Sequence, residues 1–155
     1  MTLLSGHRDS VELDNRLSRA HALTADLVWD VVGQTCRRFP PVRPTEKTQR
    51  IERLIGSGAW LDAVLALIDL ELPQWQVRRI AYDEGEWHCA LSRARELPDW
   101  LDQSIEAHHE DLPLAVLSAF VEARRADAPA RRTSVPNVPR GAELSCMPFC
   151  CDNFA

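Results

Sequence analysis

No run of apolar residues in this sequence approaches the ~20 that a helix needs to cross a bilayer. The opening MTLLSGHRD reaches His, Arg and Asp before any stretch long enough for a signal peptide. The chain is therefore expected to be cytoplasmic. An excess of basic charge is also missing, with 18 Lys+Arg against 23 Asp+Glu and a formal net charge of −5. Neither nucleic acid nor an anionic membrane is expected as a partner, because both are recognised by basic side chains that meet phosphate. The acidity is local: residues 45–126 hold 9 Lys+Arg against 15 Asp+Glu, and the chain on either side is close to neutral.

Catalytic patterns are absent as well. There is no Gly-rich phosphate loop, no GxSxG elbow and no dinucleotide fingerprint, so the enzyme classes that a single sequence reveals are not indicated and no catalytic residue is assigned. The five Cys are an odd number and are expected to be thiols rather than a disulfide framework. No internal repeat is visible.

What is present is the balance of one soluble domain with some extra chain, 155 residues of which 45% are hydrophobic and 26% charged. Leu13, Leu17, Ala20, Leu27 and Val31 recur at three- and four-residue steps, which predicts one amphipathic helix from Ser10 to about Arg37, interrupted on its apolar side by Thr24. RFPPVRP ends it, since proline lacks an amide hydrogen and disfavours helical dihedrals in the residue before it. Residues 1–44 are thus expected to be a separate helix and linker. Thr45 is placed to cap a helix reaching Ile55, and GSG at 56–58 breaks the chain. AWLDAVLALIDLEL, closed by Pro73, is apolar nearly all round and predicts the most buried helix, with Asp62 and Asp69 on its polar stripe.

WQVRRIAYDEGEWHCALSR reads as a two-stranded antiparallel hairpin. A three-residue turn at Asp83, Glu84 and Gly85 pairs Ala81 with Trp87, Arg79 with Cys89 and Val77 with Leu91, so that Trp75, Val77, Ala81, Trp87, Cys89 and Leu91 face inward. A two-residue turn at Glu84 and Gly85 would oppose Asp83 to Glu86 and scatter the apolar residues over both faces. The first register is expected. RELPDWLDQSIEA, with Trp100, Leu101 and Ile105, reads as a short helix or turn. EDLPLAVLSAFVEARRA has acids and Pro113 at its start and Arg124 and Arg125 at its end, which matches a helix dipole. From Asp127 onward there is no apolar periodicity and the tail is expected to be disordered. The fold class is α+β: helix, helix, two-stranded hairpin and helix form a compact unit at 45–126, with an N-terminal helix at 1–44 and a Cys-containing tail at 127–155.

Three segments could carry chemistry. HHED places His108 and His109 beside two carboxylates, but consecutive residues entering a helix do not converge on one ion. CMPFCC holds Cys146, Cys150 and Cys151, one short of a closed zinc site and without CxxC. His88 and Cys89, adjacent on a strand, point to opposite faces. Arg38, Pro41 and Pro44 have polyproline-ligand spacing, which a helix-stopping linker explains equally.

The hairpin sequence together with LPLAVLSAFVEARR resembles small proteins of alphaproteobacteria and their phages, in which a Trp-bearing hairpin precedes a helix beginning near LPLA. The resemblance covers residues 46–126, implies that the flanking segments are extensions of a bacterial protein, and implies no activity. The expected function is a small non-enzymatic module that binds another protein and needs no cofactor. The alternative is a thiol or zinc site built from Cys146, Cys150, Cys151, His108 and His109.

Overall fold

The structure is a computed structural model that describes residues 5–93 and 104–128. Its described residues form an α+β fold: helices α1 (Ser5–Arg19), α2 (Ala25–Thr35), α3 (Glu46–Gly56) and α4 (Trp60–Glu71), strands β1 (Trp75–Asp83), β2 (Glu86–Arg93) and β3 (Ser104–His109), and helix α5 (Leu112–Asp127). The strands make one antiparallel sheet in the order β1-β2-β3.

The predicted helix from Ser10 to Arg37 is two helices. Thr24 is the N-cap of α2, with extended dihedrals and a side chain that accepts a hydrogen bond from the Leu27 amide. A capping side chain favours a helix start over a continuous helix. Arg16 of α1 pairs with Asp30 of α2 across the bend. The capping of α3 is as the sequence predicts: Thr45 accepts from the Thr48 amide while the Thr48 hydroxyl accepts from the Thr45 amide. Gly58, at φ 75°, turns the chain into α4.

The core is a single apolar cluster that includes the N-terminal segment: Leu13, Leu17, Leu27, Val31 and Phe39 belong to it with Leu67, Leu91 and Phe120. Helix α5 lies on β2 and β3, α4 packs beside α5 and leads into β1, α3 packs on α4, and α1 on α2. The most buried helix is α5 rather than α4, since sheet and helices cover it from both sides. Leu114 to Leu117, Ala119 to Val121 and Ala123 are all buried.

The hairpin turns with two residues, against the three expected. Glu84 and Gly85 both have positive φ, 50° and 95°, and Asp83 pairs with Glu86. Positive φ at both central positions is the signature of a type I′ turn, whose twist suits flanking strands. Val77 faces Leu91 as expected, but a bulge between Val77 and Arg79 absorbs one residue. Beyond it, Ile80 faces Cys89 and Tyr82 faces Trp87. Ala81 therefore lies on the polar face, and Ile80 and Tyr82 take the helix side in place of Arg79 and Ala81.

A third strand also replaces the predicted helix or turn at Ile105. In β3, Ile105 opposes Leu91 and Ala107 opposes Cys89 on the helix side. Trp100 and Leu101, and the tail from residue 129, lie outside the described residues. Glu84 carries the cost of a left-handed β-carbon, so Glu84→Asn is expected to stabilise the protein by about 0.5–1 kcal/mol. Gly85→Ala, at φ 95°, should destabilise it. Urea titration of both variants checks the signs, and a Glu84→Asn midpoint below that of the parent protein contradicts the turn.

Candidate functional site

Strand alternation puts His88 and His108 on the sheet face turned away from α5, because Cys89 and Ala107 face the core. The two histidines are directly opposed across β2 and β3, with ring centroids 5.6 Å apart and planes at 33°. Each Nδ1 has a carboxylate on the neighbouring strand. His108 Nδ1 lies 2.8 Å from Glu86 Oε2, and His88 Nδ1 lies 3.6 Å from Glu106 Oε1. The result is a cross-strand quartet of two imidazoles and two carboxylates.

His109 is not part of the quartet. It faces Trp87 on the other side of the sheet, where its Nδ1 accepts a hydrogen bond from the Asp111 amide at 2.9 Å. An open groove of about 290 Å³ runs past this end of the sheet and is lined by His21, Glu86, His108, His109 and Glu110. Among the described residues no group of three or more His, Cys, Asp or Glu is placed to hold a metal ion. Cys146, Cys150 and Cys151 lie outside the described residues.

A cleft of about 500 Å³ opens between α1, the end of α2 and the end of α5, and is lined by Asp9, Ser10, Thr35, Cys36, Arg124 and Arg125 among others. Its two arginines from α5 are committed to structure. Arg124 Nε donates to the Thr35 carbonyl, and Arg125 Nη2 donates to Ser10 Oγ and Asp14 Oδ1. Burial, with the Glu71 carboxylate nearby, pushes the Cys36 thiol up to about 12, and burial pushes Cys89 to about 11. Both stay protonated near neutral pH, so neither is a poised nucleophile. Arg38, which heads the polyproline-like segment, donates from Nη1 to the Leu70 carbonyl, and Phe39 of the same segment is buried in the core.

The tryptophans divide. Trp75 is buried, its Nε1 donating to Asp127 and the Arg93 guanidinium lying over its ring. Trp87 is half-buried and meets Tyr82 at a centroid distance of 5.1 Å. Beside it Ile80 is 37% and Tyr82 60% exposed. These two sit on the side of the sheet where α5 packs but on β1, outside the reach of α5, which covers β2 and β3. Sequence reasoning assigned Ile80 and Tyr82 to the polar face, and nothing in their pattern signals the bulge that moves them. The pairing of His88 with His108 did leave a signal. Ser104 to His108 alternates polar and apolar with a period of two, which marks a strand.

No protein-family model, curated protein or solved structure matches the chain.

Proposed function

We propose that the protein is a non-enzymatic interaction module that binds an extended peptide segment of a partner along the outer edge of β1. The observation that carries this reading is the coincidence of exposed side chain and free backbone at Ile80 and Tyr82. Asp83 and Glu86 close the two-residue turn as a hydrogen-bonded pair. By antiparallel alternation Ala81 shares its bonds with β2, and Ile80 and Tyr82 direct their N–H and C=O groups to the open edge. Among the described residues no strand pairs with that edge. Sheet extension supplies main-chain hydrogen bonds, and the exposed side chains of Ile80 and Tyr82 beside Trp87 supply selectivity for apolar side chains on alternate positions. Asp83, Glu84 and Glu86 make the turn end acidic, which favours a Lys or Arg there in the partner. At the other end the bulge and the Arg78–Arg79 pair limit how far the added strand can run.

Peptides selected from a displayed library against the full chain are expected to alternate apolar residues and carry a basic residue at one end. Ile80→Pro removes an edge-facing N–H without disturbing β2, and Tyr82→Glu removes the apolar contact. Each should weaken the selected peptides by about tenfold, or about 1.4 kcal/mol. Peptides that bind both variants as tightly as the parent protein sink the reading. So does a dimer in sedimentation that Ile80→Pro dissociates, since the edge would then belong to a second copy.

A further inference from the structure

We propose that His88 and His108 form a two-imidazole chelate for a divalent first-row transition-metal ion, independently of any peptide bound at β1. The argument begins with distance. A zinc–nitrogen bond of about 2.0–2.1 Å places a bound ring's centroid about 3.2 Å from the metal, so two imidazoles on one ion have centroids about 5–6 Å apart. The observed separation is 5.6 Å. Directly opposed positions on adjacent antiparallel strands put both rings on one face, so rotation of the side chains suffices to turn both Nε2 atoms to one ion.

The second argument concerns which nitrogen is available. His108 Nδ1 is within hydrogen-bond distance of Glu86 at 2.8 Å, and His88 Nδ1 lies 3.6 Å from Glu106, a distance beyond a hydrogen bond that a small side-chain rotation closes. An imidazole whose Nδ1–H points at a carboxylate presents the lone pair of Nε2, and this carboxylate–histidine–metal arrangement fixes ring orientation and raises ligand basicity. The two carboxylates also favour a cation electrostatically. With His108 63% exposed, water can complete the coordination sphere. Two nitrogen donors select zinc, nickel or copper over magnesium and calcium, which prefer oxygen. The site differs from a set built on His109, whose ring faces the opposite side of the sheet and whose Nδ1 is held by the Asp111 amide.

The test uses untagged full-length protein in which Cys146, Cys150 and Cys151 are replaced by Ser, so that tail thiols contribute nothing. Calorimetric titration with Zn²⁺ in a non-chelating buffer should show one ion per chain, and Mg²⁺ should give no heat. His88→Gln and His108→Gln should each weaken Zn²⁺ binding by at least tenfold, and His109→Gln should leave it within twofold. Glu86→Gln should weaken it by about tenfold, as loss of an orienting carboxylate does. In the parent protein, NMR of the imidazole ring protons should show Zn²⁺ shifting His88 and His108 together, a readout that needs no substitution. The absence of Zn²⁺ binding at millimolar free ion overturns the proposal. Retention of binding in the His88→Gln/His108→Gln double variant, equal loss in His109→Gln, or ring shifts confined to other histidines does the same.

Discussion

Glu71→Ala is expected to destabilise the protein by about 3 kcal/mol, a large share of the stability of a domain of this size. Glu71 closes α4, and its carboxylate is fully buried. It accepts three consecutive backbone N–H groups: Arg37 on Oε2 at 3.1 Å, and Arg38 and Phe39 on Oε1 at 2.6 and 2.8 Å. Arg124 Nη2 stands 3.9 Å from Oε2 as its partner charge. A buried carboxylate is tolerable only when so satisfied, and its removal leaves three donors without acceptors at about 1–3 kcal/mol each. Water partly offsets this, since a cavity of about 310 Å³ lined by Arg37, Arg38, Glu71 and Arg124 adjoins the site, which holds the expected loss near the lower end. Glu71→Gln keeps an acceptor for Arg38 and Phe39 but turns an NH₂ toward the Arg37 amide, so it should cost less, about 2 kcal/mol. The urea midpoint measures both. A Glu71→Ala protein within 0.5 kcal/mol of the parent would show that the carboxylate does not hold this segment.

The second large effect is expected at Phe39, the last of these three residues. Phe39 is 1% exposed, belongs to the core cluster, and stacks on Trp29 with ring centroids 5.8 Å apart and planes at 17°. Phe39→Ala should cost about 3–5 kcal/mol through lost burial and the cavity left behind. Phe39→Leu, which keeps most of the volume, should cost under about 1.5 kcal/mol. Trp29 is half-exposed and reports the loss, because its fluorescence shifts to the red when Phe39 no longer covers one face. A Phe39→Ala protein as stable as Phe39→Leu would return this stretch to the status of a linker.

Both predictions fall where the sequence reads as a boundary between separate parts. RFPPVRP stops a helix on any reading, yet proline content says nothing about whether the stretch is anchored. The anchor is a carboxylate 33 residues from Arg38 in the chain, a contact that no local pattern records. Local signals were legible. The Thr45 cap, the Asp62 and Asp69 stripe on α4, the Pro113 and Arg124–Arg125 ends of α5 and the existence of the hairpin are all written in short-range chemistry, and all are present. Failures occur where a distant partner decides. Asp83 opposite Glu86 looks unfavourable in the hairpin alone, which does not show that β3 places His108 Nδ1 2.8 Å from Glu86. The sequence sets His108 beside its neighbour His109, whereas strand geometry opposes it to His88, twenty residues away. Thr24 was read as a flaw in a stripe and is a helix start.

The bulge at Arg78 and Arg79 divides the ribbon into two mechanical regimes. Toward Trp75 the strand is locked against the helices, whereas toward Tyr82 it runs beyond them and is held mainly by its own ladder and by the ring of Trp87. Substitutions in the outer arm are therefore expected to cost the fold less than substitutions in the inner arm. If peptides dock on this edge as proposed, their selection is set by a handful of surface positions that can change while the framework beneath stays the same.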